Sequence, residues 1–139
     1  MAQPKTFVPP IYWQMRPNHA GHKVLVAPLI DASSGITIPG LIMRLEVKSP
    51  VVVDACLMQY SLMLQTSHTA PRVYQLEICP AQKRSHMDAT QTLYGPHEHI
   101  GDQTFGVKHA GIDCSNWAYG LNWFLQRCKI TPGCPVPAP

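Results

Sequence analysis

From residue 23 onward, hydrophobic and polar positions recur with the period of β-strands. Residues 23–30 are rich in β-formers and are followed by Ser33-Ser34-Gly35, a turn. Pro39-Gly40 has the residues of a type II turn. Beyond it Leu41, Met43, Leu45 and Val47 alternate with Arg44, Glu46 and Lys48, the pattern of a half-buried strand. Residues 51–65 form a long apolar run in which Cys56, Met58, Tyr60, Leu62 and Leu64 share one face and Gln59, Ser61 and Gln65 the other. The pattern changes at Asp54, which predicts a bulge or bend there. Residues 72–79 repeat the alternation, with Tyr74, Leu76 and Ile78 inward and Gln75 and Glu77 outward. Consecutive strands with short connections read as an antiparallel meander.

Residues 80–94 are polar and patternless and read as a loop. Residues 97–107 can hold one or two short strands around Gly101-Asp102. Asp113 or Ser115 can then cap a helix running to about Lys129. On that helix Trp117, Leu121, Phe124, Leu125 and Cys128 make the apolar stripe of a core-facing surface, with Tyr119, Trp123 and Arg127 beside it. The expected fold class is α+β: an antiparallel meander sheet packed by one C-terminal helix. A Pro-rich arm, residues 1–22, is expected to dock on the single domain of residues 23–130 through Ile11, Tyr12, Trp13 and Met15. Residues 131–139, also Pro-rich, read as an extended, mobile tail.

Composition narrows the function classes. With 139 residues the chain has the length of about one domain, and only 14% of them are charged. The net charge of +3 suits weak attraction to polyanions and falls short of a dedicated nucleic-acid footprint. No stretch is long and apolar enough to span a bilayer, and no apolar segment of a secretory signal follows the first charge. The expectations are therefore a cytoplasmic location and no membrane association. The five cysteines form no CxxC pair, so no zinc ribbon is expected. Cys56, Cys79 and Cys128 read as small core hydrophobes in a reducing compartment, with a Cys128–Cys134 disulfide only in an exported protein.

The one chemically unusual segment is Tyr94-Gly95-Pro96-His97-Glu98-His99-Ile100-Gly101-Asp102. In an extended chain His97 and His99 project to one face, roughly 6–7 Å apart by the two-residue rise. Two imidazoles so placed can ligate one metal ion, can act as an acid and base around a phosphodiester, or can sit hydrogen-bonded and inert. His86, Asp102 and His109 are nearby candidates for a third ligand, none at a metal-motif spacing, and no H-E-x-x-H motif occurs. No cofactor is expected; if a metal is present, His97 and His99 hold it. A nucleophilic Cys114 served by His109 is conceivable at a helix N-terminus, and a buried cysteine at a cap is the plainer reading.

Residues 72–130 carry an ordered pattern: Arg72-Val73-Tyr74-Gln75-Leu76-Glu77-Ile78, a polar loop with His86, Gly95-Pro96-His97-Glu98-His99-Ile100, Phe105-Gly106-Val107, and a helix ending Trp123-Phe124-Leu125-Gln126-Arg127-Cys128-Lys129-Ile130. This pattern resembles small proteins of bacterial chromosomes, plasmids and phages with a central H-x-H strand and a C-terminal helix, including the TumE-type toxins of toxin–antitoxin pairs. The resemblance covers just under half the chain. It implies an RNA-directed activity, with His97 and His99 as the residues carried over.

A metal-free ribonuclease site needs a base for the 2′-hydroxyl, an acid for the leaving oxygen and a cation for the phosphorane. His97 and His99 can supply the first two. Arg72, or Lys83 and Arg84 in the loop, can supply the third, and Tyr94 can stack on a base or donate a proton. The rival expectation is a non-catalytic phage or plasmid protein that binds and inhibits a host-defence protein. Its anchors would be Trp13, Tyr119, Trp123 and Arg127, since aromatics and Arg dominate interface hot spots. Arg127 one turn beyond Trp123 can instead cover the indole ring as a cation–π pair. The expected partners are RNA or a protein, an antitoxin or a host-defence protein; an exposed sheet edge also allows a homodimer.

Overall fold

The computed structural model describes residues 1–48 and 56–139. Alternation along the central strands determines the sheet. The strands are β1 (Lys5–Phe7), β2 (Gln14–Met15), β3 (His22–Asp31), β4 (Thr37–Lys48), β5 (Leu57–Leu64), β6 (Arg72–Ile78), β7 (Arg84–Met87), β8 (Thr92–Tyr94), β9 (His97–Ile100), β10 (Gln103–Gly106) and β11 (Ile130–Pro132). One helix, α1 (Trp117–Arg127), precedes β11. The main sheet runs β10-β9-β6-β5-β4-β3-β1-β11, with β2 added beside β3. All its pairs are antiparallel except β1 with β11. The architecture is the expected α+β, a largely antiparallel sheet with one C-terminal helix packed on it.

Cross-strand register sorts the side chains into two faces. On one face Leu25, Leu45, Tyr60, Leu76 and Glu98 lie in one row, and Ala27, Met43, Leu62, Tyr74 and Ile100 in the next. The apolar members of these rows are the core, and α1 covers them with Leu121, Phe124 and Leu125. Close approach of the helix requires Gly120: a Cβ there would stand 2.6 Å from the Tyr60 hydroxyl and 2.8 Å from Ile78 Cδ1. Two rows on the opposite face are mostly polar. One is Val24, Glu46, Gln59, Glu77 and His97; the other is Val26, Arg44, Ser61, Gln75, His99 and Thr104.

Several local expectations are corrected. The segment of residues 80–94 holds the β7–β8 hairpin rather than an unstructured loop, its tip closed by Asp88, which accepts from the backbone N–H groups of Thr90 and Gln91. The helix begins later than expected. Asn116 caps it through Oδ1 to the Tyr119 N–H at 3.1 Å, while Asp113 accepts from Ser115 instead. The tail expected to be mobile contributes β11, paired with β1 in the N-terminal arm. Beyond it the Pro137 carbonyl accepts from Trp13 Nε1 at 2.8 Å, and the Trp13 ring meets Trp117 edge-on. Lys5 is buried at this junction and donates to the Cys128 carbonyl, a cation at a carbonyl that the helix C-terminus leaves without an intrahelical partner. The bend expected at Asp54 lies outside the described residues.

The cysteines also differ from expectation. Cys56 pairs with Cys114, joining the approach to β5 to the loop before α1 across 58 residues of sequence. Closing a loop of that length stabilises a fold by about 4 kcal/mol in the chain-entropy model. The pairing removes Cys114 as a nucleophile and takes away the cysteine argument for a reducing compartment. Cys128 and Cys134 remain thiols, and burial pushes the Cys128 thiol up to about 12. No helix among the described residues is long and apolar enough to cross a membrane.

Candidate functional site: a histidine–glutamate cluster on the open sheet face

Alternation along β9 sends three consecutive side chains in two directions. Glu98 points toward α1, where Tyr74 donates to it at 2.7 Å and Arg127 at 2.7 Å. Burial pushes its carboxyl up, but donation from Arg127 and Tyr74 outweighs this and leaves it below the usual carboxylate range. Trp123 Nε1 donates to the Tyr74 hydroxyl, and the Arg127 guanidinium lies 5.7 Å from the Trp123 ring centroid. Glu98 is therefore a satisfied structural carboxylate.

His97 and His99 face the other way and are 1% and 7% exposed. Their Nε2 atoms lie 3.1 Å apart, about half the roughly 6–7 Å rise between the residues, because the rings converge. Each ring is held from behind. His97 Nδ1 lies 3.3 Å from the Gly95 carbonyl, which can only accept, so Nδ1 is the nitrogen placed to donate and Nε2 the one turned to His99. His99 Nδ1 lies 3.2 Å from Thr104 Oγ1. Glu77 stands opposite His97 in the β6–β9 register and joins the pair: its carboxylate and the two imidazoles each offer a ligand atom within 4.8 Å of the others. Gln59 Nε2 donates to the Glu77 carboxylate at 3.0 Å from the next strand. Among the described residues Glu77 has no ion-pair partner.

The cluster opens into a polar cavity of about 390 Å³ whose walls include Arg72, His86, Asp88, Asp102 and Thr104. His86 comes from β7, its ring 5.7 Å from that of His99 and 6.1 Å from that of His97. Its Nε2 meets Asp88 at 2.7 Å. The Asp88 carboxyl is held well below the usual range by hydrogen bonds from Thr90 and His86. Arg72 reaches Gln75 Oε1 at 2.9 Å. Burial, with the charge of Arg72 and the two other imidazoles, holds His99 down to about 4, so its ring is neutral at physiological pH.

Of the sequence candidates, His97, His99 and Arg72 come together here, with His86 and Asp102 on the cavity wall. Tyr94 does not join them; it lies on β8, 60% exposed and outside the cavity lining. Lys83 lines a different hollow with Pro80, Ala81 and Gln82, and Arg84 is exposed on β7. His109 lies beside α1, where its Nδ1 is 3.1 Å from the Tyr119 hydroxyl and its ring stands 5.3 Å from that of Trp123. Trp13 and Trp123 have their indole N–H groups committed to internal partners, whereas Arg127, which gives one nitrogen to Glu98, and Tyr119, whose hydroxyl meets His109, both keep exposed side chains.

No family model, curated protein or solved structure matches this chain. The geometry of the cavity is therefore what carries a functional reading.

Proposed function

We propose that the protein cleaves a phosphodiester, with RNA as the substrate class, and that the cavity over β6, β9 and β10 is its reaction centre. The supporting observation is the convergence of His97, His99, His86 and Arg72 on one polar cavity. It agrees with the activity implied by the resemblance to TumE-type proteins.

The distances favour roles different from those of a simple histidine pair. In-line displacement places attacking and leaving oxygens on opposite sides of phosphorus, so an acid and a base within hydrogen-bond reach of them stand roughly 6 Å or more apart. Two Nε2 atoms 3.1 Å apart cannot flank the phosphorus, and they act as one unit on the attacking side. An unprotonated nitrogen of the His97–His99 pair is suited to accept the proton of the nucleophile. His86, its ring 5.7 Å from that of His99 and 6.1 Å from that of His97, is the group at the right remove to serve the leaving oxygen, and Asp88 orients its ring through Nε2 as a carboxylate does behind a catalytic histidine. Arg72 offers a guanidinium to the non-bridging oxygens.

The test is cleavage of a mixed-sequence RNA by purified protein beside a folded His97→Ala/His99→Ala variant. Cleavage lost in the variant supports the reading. Equal background from both proteins at high concentration overturns it. A protein that only docks a partner would keep its function in His97→Asn and His99→Gln variants.

A further inference from the structure

We infer that His97 Nε2, His99 Nε2 and the Glu77 carboxylate form a binding site for one divalent transition-metal ion of the zinc class. The site takes up the same two Nε2 atoms that the proposed metal-free reaction uses as its base, so the two uses of the pair exclude each other in one molecule, and the site does not depend on that reaction.

Three observations converge. First, the two imidazole nitrogens are spaced as ligands on one ion: with metal–nitrogen bonds of about 2.0–2.1 Å, two nitrogens 3.1 Å apart subtend an angle of about 100°. That lies between octahedral and tetrahedral values. The Glu77 carboxylate, within 4.8 Å of them, must close in by side-chain rotation to complete the set. Second, each donor is oriented from behind. The Gly95 carbonyl holds His97, Thr104 holds His99, and Gln59 holds Glu77. Outer partners of this kind fix the tautomer and aim of metal ligands. Third, Glu77 is half-buried and has no ion-pair partner among the described residues. A cation between the three donors supplies the missing counter-charge.

Two imidazoles and one carboxylate are the protein ligands of a catalytic rather than a structural site, because coordination positions remain for water or substrate. The cavity gives those positions access to solvent. When bound, such an ion acidifies a coordinated water or hydroxyl. This chain's own contribution is to hold the three donors and to place Arg72 and His86 around the open side.

The competing arrangement is a proton chain with no metal. Thr104 would donate to His99 Nδ1, His99 Nε2–H to His97 Nε2, and His97 Nδ1–H to the Gly95 carbonyl. It satisfies both rings and leaves Glu77 without a counter-charge.

The experiment is titration of untagged, EDTA-dialysed protein with Co(II), read by its visible absorption, and with Zn(II), read by calorimetry. One ion per chain is expected, with binding weakened at least tenfold in Glu77→Gln and lost in His97→Ala/His99→Ala. Circular dichroism checks that both variants are folded. Nitrogen-15 NMR of wild-type imidazoles gives an independent readout: Zn(II) should shift the Nε2 resonances of two histidines and leave both Nδ1 sites protonated. No stoichiometric binding, or binding unchanged in the double variant, overturns the site and leaves the proton chain. RNA cleavage is measured separately, so metal binding without cleavage rejects the proposed function alone. Cleavage without metal binding rejects the metal site alone.

Discussion

Glu46 and Glu77 occupy the same cross-strand row of the open face, separated by Gln59, and their surroundings are opposites. Glu46 is buried beneath three basic groups: His22 Nε2 at 2.7 Å, Arg16 at 3.0 Å and Arg44 at 3.6 Å from one carboxylate oxygen. Glu77 meets an amide and two imidazoles instead. The first cluster is electrostatically closed and joins the N-terminal arm to the sheet, since Arg16 belongs to that arm. The second is electrostatically open and faces a cavity. Buried charge near histidine therefore marks a functional candidate only where the counter-charge is missing.

This contrast is broken most severely by removing the open cluster's imidazoles. His97→Ala/His99→Ala should reduce RNA cleavage at least 100-fold, the low end of what general acid–base groups contribute, in a gel assay against wild type. In the closed cluster the loss should be in stability instead. Glu46→Ala leaves two guanidiniums and His22 without their shared carboxylate, and urea melts should show destabilisation of about 2–3 kcal/mol.

Substituting the partner glutamate sharpens the difference. Glu77→Gln removes an uncompensated charge, so the stability of the metal-free protein should change by less than about 1 kcal/mol, while the Co(II) spectrum is lost or weakened. A fall comparable to that of Glu46→Ala would show that Glu77 has an equally structural role.

The smallest effect is a pH dependence of stability in the metal-free protein. The folded His99 is held down to about 4, whereas the unfolded ring titrates near 6.5. Between those values the unfolded chain binds more protons, so this residue makes stability rise with pH from about 4 to about 6.5 and has no further effect above. Urea melts across that window should show the slope, and it should flatten in His99→Asn.

Strand alternation made the meander from β3 to β6 legible, and the i, i+4, i+7 stripe did the same for the face that α1 buries. The β7–β8 hairpin was not legible because Arg84–Met87 is not an alternating apolar strand and its turn depends on the Asp88 side chain. Pairing of β1 with β11 joins the two Pro-rich ends of the chain, a contact that local pattern cannot express. The Cys56–Cys114 disulfide is equally nonlocal. At the site, His97 and His99 were visible from their two-residue spacing. Glu77 was recognised only as an outward strand residue, and it takes the β6–β9 register to set it opposite His97. Only the hairpin's fold brings His86 over the pair, and it points Tyr94 elsewhere.

The most direct test of the open cluster is anomalous diffraction at the zinc edge from crystals of the EDTA-treated protein soaked in Zn(II). A single peak about 2.0–2.2 Å from His97 Nε2, His99 Nε2 and a Glu77 carboxylate oxygen is the predicted result. A cavity without a peak, with zinc bound only at histidines elsewhere on the surface, would contradict it and leave the two imidazoles joined by a shared proton.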